Sequence, residues 1–319
     1  MGQSPSALTL TEKNLPDQTG KVFLITGSTS GVGLELAQIL YSRNAKVYIA
    51  ARNAEKAART IETIESKHPS SAGELVYLHL DLSDLTTINS SAQEFLDREK
   101  RLDVLWNNAG VMVPPQGSTT KQGYEMQIGT NNVAPFLFTK LLTPLLIETA
   151  KTASPGSVRV VWVSSSAAAR FSPEGGVEMD NLGYEREDKS AWFKYGVSKA
   201  GNILHASEYA RRVGEKGVLS LSLDPGNLKT DLYNQVPRWQ MLVVNLVLKE
   251  PIYGAYTELY GGLSEDIKME NNGTFAVPWG KMQTPRADIA LSCKSKDQGG
   301  TGLASQFWEW SEKQVENYI

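Results

Sequence analysis

The stretch Thr26-Gly27-Ser28-Thr29-Ser30-Gly31-Val32-Gly33 is the most informative part of this chain for its fold. It follows the apolar run 21–25 and precedes a helical pattern over 34–41. A glycine-rich turn between a strand and a helix lets the backbone approach a phosphate, to which the helix N-terminus offers free N–H groups and a positive dipole end. A glycine pattern is weak evidence by itself, because an ordinary tight turn also needs small residues. Its position between a strand and a helix makes it a candidate phosphate-binding loop.

The rest of the first half alternates short β-branched runs with longer helical patterns, and later segments continue the alternation. The predicted strands are 22–26, 46–51, 75–80, 104–107, 157–164 and 218–223. The predicted helices are 33–42, 54–67, 85–100, 121–151 and 192–214. The alternation predicts βαβ crossovers, and the almost wholly apolar strands indicate a sheet covered on both faces. The fold class is therefore α/β, with one doubly wound Rossmann-type parallel sheet and helices on both of its faces.

No internal repeat or linker divides the chain, so we predict one domain over 19–319 behind a flexible polar tail, 1–18. The apolar, aromatic segment 233–263 is predicted to be a lid over a substrate site. The polar, glycine-rich region 270–302 is interpreted as a surface loop that contains the lone cysteine.

A short helix over 304–318 belongs to the predicted C-terminal extension. Its residues Phe307, Trp308 and Val315 have a spacing that could form one docking face.

The composition excludes several classes of function. The 319 residues carry 32 Lys plus Arg and 35 Asp plus Glu, and a net charge of −3 gives no electrostatic reason to expect a nucleic-acid partner. One cysteine, Cys293, permits no intrachain disulfide and no zinc-site spacing, so no metal is predicted and a reducing, cytoplasmic compartment is expected. Residues 1–17 lack the apolar core of a secretory signal, and no run of about 18 apolar residues predicts a membrane-spanning helix.

The end of the second predicted strand bears on the choice of nucleotide. An acid there would accept hydrogen bonds from the ribose 2′-hydroxyl of NAD, whereas an arginine would meet the 2′-phosphate of NADP. The sequence has Arg52 there and no acid, which favours NADP(H), although a solvated surface arginine is the alternative. After the third strand, Asp81 could accept from an adenine amino group or cap a turn. The run Asn107-Asn108-Ala109-Gly110 follows the fourth strand and belongs beside the cofactor.

Two residues of a later helix have the spacing of a tuned acid/base pair. Tyr195 and Lys199 lie four apart and share a helix face. A nearby ammonium favours a phenolate and lowers the pKa of a tyrosine, which is otherwise about 10. The pair alone is a common accident, but Val163-Ser164-Ser165-Ser166 adds hydroxyls at a strand end that could hydrogen-bond a substrate oxygen.

Taken together, these motifs resemble the short-chain dehydrogenase/reductase family, over most of the chain. The matching elements, in order, are T-G-x-x-x-G-x-G at 26–33, N-N-A-G at 107–110, the serines at 164–166, Y-x-x-x-K at 195–199, and Pro225-Gly226 followed by Thr230. The segments 125–136, 180–182 and 307–313 are similar to the branch that contains retinol dehydrogenases, WW-domain oxidoreductases and many fungal members.

The resemblance implies roles for the matched residues. Tyr195 would exchange a proton with the substrate oxygen, Lys199 would hold the nicotinamide ribose and lower the pKa of the tyrosine, and Ser165 would orient the carbonyl or hydroxyl group. Asn131 would hold a water that links Lys199 to solvent. The cofactor-binding set is Gly27, Ser30, Gly31, Val32, Gly33, Arg52, Asp81, Asn108, Ala109, Gly110, Pro225 and Thr230, with Tyr195 and Lys199. The three consecutive serines and the neighbouring Asn132 leave one position open in each case.

The predicted function is an NADPH-dependent carbonyl reductase, or the reverse alcohol dehydrogenase, acting on a small lipophilic molecule. The aromatic residues of 167–192 and 233–263 favour such a substrate, although they could equally pack on the core. Natural-product biosynthesis is the setting that the fungal resemblance suggests. The alternatives are a non-redox isomerase, dehydratase or cyclase on the same site, and a cofactor-binding scaffold without turnover. Relatives are often dimers or tetramers, so a homodimer is one option.

Overall fold

The computed structural model describes residues 10–230 and 248–319. Within them one sheet contains eight strands: β1 (Val22–Thr26), β2 (Lys46–Ala51), β3 (Glu74–His79), β4 (Val104–Asn107), β5 (Arg159–Val163), β6 (Leu219–Leu223), β7 (Phe275–Val277) and β8 (Lys281–Gln283). Their order across the sheet is β3-β2-β1-β4-β5-β6-β7-β8. All neighbouring pairs are parallel except β7 with β8, which is antiparallel. The predicted fold class is confirmed, and the antiparallel strand β8 is an addition at the edge that the sequence pattern did not predict.

The order of the strands explains where a ligand can bind. From β1 the chain winds outward to β2 and β3, and then crosses back to β4 on the other side of β1. The connections that follow β1 and β4 therefore leave in opposite directions. They open a crevice at the carboxyl ends of these strands, which is the usual ligand site of a doubly wound sheet. The glycine-rich turn predicted to hold a phosphate lies at this crevice.

Helices cover both faces of the sheet. They are α1 (Gly31–Ser42), α2 (Ala54–Lys67), α3 (Leu85–Arg98), α4 (Met126–Ala150), α5 (Ala167–Phe171), α6 (Ala191–Val213), α7 (Pro251–Leu263), α8 (Ala287–Cys293) and α9 (Leu303–Val315). One face packs on α3, α4 and α6 through a core that includes Trp162 and Phe136. The other face packs on α1, α2 and α7 through a core that includes Phe23 and Trp106. The predicted elements of the first half are therefore present, within two or three residues of their expected ends apart from the start of α4.

The helix α4 contains a π-helical turn, Gly129–Val133, near its N-terminus. In the described part of the chain, α4 is also the one helix whose length and mean hydropathy would allow it to cross a membrane. More than half of its most apolar stretch is buried inside the protein, as expected of a helix that forms the core of an α/β sheet.

The region 270–302 is not the surface loop that its composition suggests. It contains β7, β8 and α8, and Cys293 ends α8 as a half-buried residue. The sequence pattern of β7 and β8 is weak because each of these strands has only three residues. Phe275 and Ala276 are buried by pairing with Ser222 and Leu223 of β6, a contact between residues about fifty positions apart.

The predicted lid is corrected in its second half. Residues 233–247 lie outside the described residues, but α7 is a core helix rather than a lid. Its side toward the sheet carries Gly261 and Gly262, and a Cβ atom added to Gly262 would lie 2.1 Å from Cζ2 of Trp106. The glycines therefore let α7 lie directly on the sheet, and the nearby Tyr256 and Tyr260 are buried.

The described part of the predicted tail is also packed. Leu15 is 2% exposed and belongs to the same core as α1, and the backbone N–H of Gln18 donates to the carbonyl of Arg43 over 2.7 Å. Leu15 and Gln18 are therefore held against the domain, so the packed part of the chain begins before residue 19.

The docking face predicted for the C-terminal helix is confirmed. Phe307, Trp308 and Val315 of α9 are buried, and the Phe307 ring stacks on His205 of α6 with centroids 4.6 Å apart.

Candidate active site

The glycine-rich turn is shaped by close contacts with the end of β4. Gly27 and Gly31 adopt φ values of 70° and 58°, which L side chains rarely adopt. A Cβ atom at Gly33 would lie 2.6 Å from Nδ2 of Asn108, and one at Gly27 would lie 2.9 Å from Cα of Ala109. The predicted glycines are therefore required by packing as well as by backbone conformation.

Hydrogen bonds fix the same contact. Asn108 Nδ2 donates to the carbonyl of Thr26 over 2.7 Å, and the N–H of Ala109 donates to Oγ1 of Thr26 over 2.9 Å. The turn leads into α1, whose N-cap Ser30 makes no side-chain capping hydrogen bond and whose first turn carries no acid. The N-terminal N–H groups of α1 thus face an open groove without a competing carboxylate, which suits a phosphate.

A groove of about 740 Å³ runs along the carboxyl ends of β1 to β4. Ten of the predicted cofactor residues line it: Gly27, Ser30, Gly31, Val32, Arg52, Asp81, Asn108, Ala109, Gly110 and Thr230. The groove is also lined by five residues that no sequence motif marked: Asn53, Lys56, Leu82, Ser83 and Met112. Lys56 follows Arg52 by four positions at the start of α2, a spacing that could have indicated a second cation beside the first. The donors and the size of the groove fit a dinucleotide.

Two polar residues predicted for the nucleotide occupy different settings. Arg52 is exposed on the rim of the groove, just after β2. Asp81 lines the groove and also caps its own turn, because Oδ1 accepts from the N–H and the hydroxyl of Ser83 at 2.9 and 2.7 Å. The turn-capping alternative for Asp81 is thus realised.

A second cavity, of about 310 Å³, adjoins the groove and shares Val32, Gly110 and Thr230 with it. Ser165, Tyr195 and Lys199 line this cavity together with Pro225. The structure therefore brings the predicted proton-transfer residues and the predicted cofactor residues to one continuous space.

Lys199 lies at the floor of the second cavity and is 4% exposed. Its Nζ donates to the carbonyl of Val163 over 2.9 Å and lies 5.7 Å from the centre of the Tyr195 ring. The same carbonyl accepts a second hydrogen bond, from Nδ2 of Asn202. Burial lowers the pKa of Lys199 to about 8, against the opposing attraction of Glu258 and Asp224. At neutral pH the ammonium form therefore predominates.

The three serines after β5 have different surroundings. Ser164 is 1% exposed, and its hydroxyl donates to the carbonyl of Lys199 over 2.7 Å, so it holds α6 against the strand end. Ser165 and Ser166 are half-buried and line the cavity. The Ser165 hydroxyl oxygen accepts from the N–H of Ala167 over 3.2 Å, which leaves its proton available to a substrate oxygen.

Asn131 lies in the π-helical turn and does not line the second cavity. Its Nδ2 donates to the carbonyl of Val111 and to Oγ of Ser198 at 3.0 and 2.9 Å, and its Oδ1 accepts from the N–H of Val111. A Cβ atom at Gly110 would lie 3.1 Å from Oδ1 of Asn131 and 3.4 Å from Nζ of Lys199. Asn131 is thus beside Lys199, where it clamps the segment after β4. Its predicted contact with a water stays a prediction.

Asn132, the neighbouring alternative, is fully buried and joins two points of α6. Its Nδ2 donates to the carbonyl of Ser198 and to Oδ1 of Asn202 at 2.8 Å each. Both asparagines therefore fix α6 relative to α4, and Asn131 is the one that approaches Lys199.

An aromatic wall borders the second cavity. Phe171 and Trp192, both from the segment in which the sequence analysis looked for substrate contacts, have ring centroids 5.2 Å apart. Trp192 also meets Tyr195 edge to face at 6.2 Å. Tyr184 of the same segment instead lines a separate cavity of about 460 Å³. Met112 and Leu228 of the wall were not predicted, although each lies only two positions after a motif, N-N-A-G and Pro-Gly respectively.

Within 10–230 and 248–319, no group of three His, Cys, Asp or Glu side chains could hold a metal ion.

Comparisons with known proteins agree with this geometry. A family model described as short chain dehydrogenase matches residues 21–177. A short-chain dehydrogenase/reductase of Phomopsis amygdali is 50% identical over 320 residues, which cover 99% of this chain and 95% of that protein. The crystal structure of a Mycobacterium paratuberculosis protein superposes with a TM-score of 0.69 at 29% identity, covering 96% of this chain and 97% of the other. The NADPH-bound carbonyl reductase from chicken fatty liver shares the fold, with a TM-score of 0.62 at 22% identity over 84% of this chain and 99% of that one.

Proposed function

This chain belongs to the short-chain dehydrogenase/reductase family, and from that premise we propose that it is an NADPH-dependent oxidoreductase. It transfers a hydride between the nicotinamide and the carbonyl or alcohol carbon of a small lipophilic substrate. The observation that carries the proposal is the convergence of Ser165, Tyr195 and Lys199 on one cavity that is continuous with the glycine-lined groove.

The residues of the cavity have separate tasks in carbonyl reduction. The bound cofactor supplies the hydride. Tyr195 gives its phenolic proton to the substrate oxygen, on which negative charge develops as the carbon is reduced. The Lys199 ammonium, 5.7 Å from the Tyr195 ring, stabilises the phenolate that remains. The Ser165 hydroxyl donates a hydrogen bond to the same substrate oxygen and fixes its position. In alcohol oxidation the Tyr195 phenolate would take the proton from the alcohol oxygen, and the oxidised cofactor would accept the hydride.

The preference for NADPH rests on charge at the rim of the groove. Arg52 stands where an acid would bind the 2′-hydroxyl of NAD, and no acid follows β2 directly. A guanidinium group can make a charge-assisted contact with a 2′-phosphate. Lys56 lines the same part of the groove and would add to the positive potential there.

The substrate is lipophilic in this proposal because its pocket is walled by Phe171, Trp192 and Met112. A substrate whose apolar ring or chain packs against this wall would place its carbonyl or hydroxyl oxygen beside Ser165 and Tyr195. Membership of the retinol dehydrogenase and WW-domain oxidoreductase branch is part of the proposal, and the segments 125–136 and 307–313 support it. So is a role in fungal natural-product biosynthesis, which the same resemblance suggests. A cytoplasmic location is also part of the proposal, because a single cysteine fits a reducing compartment.

The decisive experiment follows NADPH absorbance with purified protein and a panel of lipophilic ketones, aldehydes, quinones and enones. NADH and a Tyr195→Phe variant run in parallel. Substrate-dependent oxidation that prefers NADPH and collapses in the variant is the expected result. Binding of neither nucleotide would overturn the proposal.

The same assay separates the alternatives. Product formed without net consumption of NADPH would indicate a non-redox isomerase, dehydratase or cyclase that keeps the cofactor bound. NADPH binding without turnover of any panel member would favour a scaffold. The retained proton-transfer groups Ser165, Tyr195 and Lys199 argue against that role, because a scaffold has no use for them. Sedimentation of the same preparation would test the predicted homodimer.

A further inference from the structure

Glu258 is a buried acid that the mechanism above does not use. It lies on α7 and is 0% exposed. Within 10–230 and 248–319 neither of its carboxyl oxygens has a hydrogen-bond partner. Its backbone carbonyl is held, since it accepts from Nε1 of Trp106 over 3.1 Å. A carboxyl group buried in this way costs free energy, and its position calls for an explanation.

The packing of α7 places this carboxyl group beneath the active-site cavity. One turn before Glu258, a Cβ atom at Gly254 would lie 2.3 Å from Cδ1 of Leu228 and 2.9 Å from Cγ2 of Val32. Leu228 and Val32 both line the cavity. A helical side chain leans toward the N-terminus of its helix, so Glu258 extends toward Gly254 and hence toward the cavity floor.

Few other charged groups face α7 from the elements packed against it. The strands β4, β6 and β7 carry none. On β5, Arg159 donates to the carbonyls of Gly261, Ser264 and Ile267, which lie at the opposite end of α7 from Gly254. Glu35 of α1 and Glu12 face Tyr256 on α7.

Lys199 is therefore the charged group that acts on Glu258, and two acids act on Lys199 in return, Glu258 and Asp224. Asp224 already accepts a hydrogen bond from the N–H of Gly226 over 3.0 Å, whereas the Glu258 oxygens have no such partner in the described residues.

We propose that Glu258 is a positioning residue whose carboxyl group keeps the buried Lys199 side chain in its ammonium form as the pH rises. Lys199 would otherwise lose its proton in the low-dielectric floor of the cavity, and with it the charge that supports Tyr195. The consequence for turnover rests on the proposed function, but the coupling between the two side chains does not.

The direction of the coupling follows from the burial of both groups. Burial raises the pKa of Glu258 and lowers that of Lys199, because it disfavours the charged form of each group. At low pH the acid is therefore neutral and the lysine charged. As the pH rises, the acid loses its proton, and the new carboxylate attracts the ammonium and opposes its deprotonation. A neutral amide at 258 cannot do this, so the lysine would deprotonate at lower pH.

The test is an NMR titration of Lys199 in protein labelled with ¹³C at the lysine Cε, with Lys199→Met to assign the signal. Glu258→Gln is expected to lower the midpoint of the Lys199 titration by about one pH unit. Glu258→Asp keeps the charge and is expected to restore most of the shift. The control is Glu208→Gln, which removes a buried acid of α6 that pairs with Arg211 and Arg212 instead. An unchanged midpoint in Glu258→Gln, or an equal shift in Glu208→Gln, would overturn the coupling.

Activity supplies the second readout. The alkaline limb of the kcat profile should move to lower pH in Glu258→Gln by the same amount as the NMR midpoint, while kcat at pH 6.5 stays within about twofold. A wild-type protein that binds NADPH but turns over nothing would count against the proposed function, and the titration would still decide the coupling. If Glu258→Gln shifts the midpoint of the Lys199 titration but not the alkaline limb of the kcat profile, the role of Glu258 in the reaction would be overturned.

Discussion

Both halves of α6 bury polar side chains, but those of the N-terminal half line a cavity and those of the C-terminal half are packed in the core. The N-terminal half carries Tyr195 and Lys199, which are buried but line a cavity. The C-terminal half carries His205, whose ring is fully buried, stacks on Phe307 and shares a hydrogen bond of 2.9 Å with Oγ of Ser311. Burial lowers the pKa of both Lys199 and His205, the latter to about 3. A perturbed titration therefore does not identify a functional residue, and access to a cavity is what separates the two halves.

The largest effect expected from this comparison is on catalysis. Lys199→Met removes the ammonium but leaves the Val163 carbonyl its hydrogen bond from Asn202, so the fold should survive. We expect kcat/KM for carbonyl reduction to fall about a thousandfold, the range for loss of a tuned acid/base group. Lys194→Met is the matched control, since Lys194 is also buried on α6 but pairs with Asp188. Equal losses of kcat/KM in Lys199→Met and Lys194→Met would show that access to the cavity does not distinguish the two lysines.

The second prediction concerns the packed half. Phe307→Ala removes a fully buried ring that stacks on His205, and should lower the free energy of unfolding by about 3 kcal/mol. Urea denaturation measures this, and Met282→Ala on the exposed strand β8 should change stability by less than about 0.5 kcal/mol. Because Phe307 stacks on His205 and Trp310 and lines neither the groove nor the second cavity, kcat per folded molecule should be retained. A selective loss of kcat would show that the halves are coupled.

The third prediction concerns the pH dependence of stability that arises from His205 in the C-terminal half of α6. The folded protein keeps His205 neutral down to a pKa of about 3, whereas the unfolded chain protonates it below about 6.5. Its contribution to stability is therefore present above pH 6.5 and is lost as the pH falls. Glu258 has a raised pKa and contributes in the opposite direction, so only a difference between variants isolates the histidine. On going from pH 7 to pH 5, wild type should lose about 2 kcal/mol relative to His205→Gln. If the difference in unfolding free energy between wild type and His205→Gln is the same at pH 7 and pH 5, His205 is not kept neutral in the folded protein.

The smallest effect expected is at the rim of the groove. Arg52→Ala should weaken NADPH binding about tenfold and leave NADH binding unchanged, because in the proposed function the exposed guanidinium would contact only the 2′-phosphate. Fluorescence titration measures both affinities. Arg59→Ala is the control, an exposed arginine on α2 that pairs with Glu55. Equal weakening of both nucleotides in Arg52→Ala would assign Arg52 to a shared part of the cofactor.

The parts of this protein that the sequence predicts depend on near neighbours. The phosphate-binding turn combines a strand, three glycines and a helix within about twenty residues. Tyr195 and Lys199 share a face because they are four apart on one helix. The positions of Ser165 and Arg52 follow from their places at strand ends, since all parallel strands of a doubly wound sheet point to one crevice.

The missed parts depend on contacts that are distant along the chain. The short strand β7 exists because it pairs with β6, and α7 lies on the sheet because its glycines meet Trp106. In the sequence, Glu258 resembles an ordinary polar residue of an amphipathic helix. Its burial follows only from the contact between the glycines of α7 and Trp106. The π-helical turn around Asn131 is likewise set by tertiary bonds to Val111 and Ser198, which no local pattern encodes.

The helix α9 has a consequence for how the protein is made. His205 and its partner Ser311 are 106 residues apart in the chain. A ribosome that adds 5–20 residues per second needs roughly 5–20 s to synthesise that interval. During this time the nascent chain presents the aromatic face of α6 without the helix that covers it. The newly made protein is therefore a client for chaperones that bind exposed apolar surface, and slower translation of the intervening region would lengthen its exposure to aggregation.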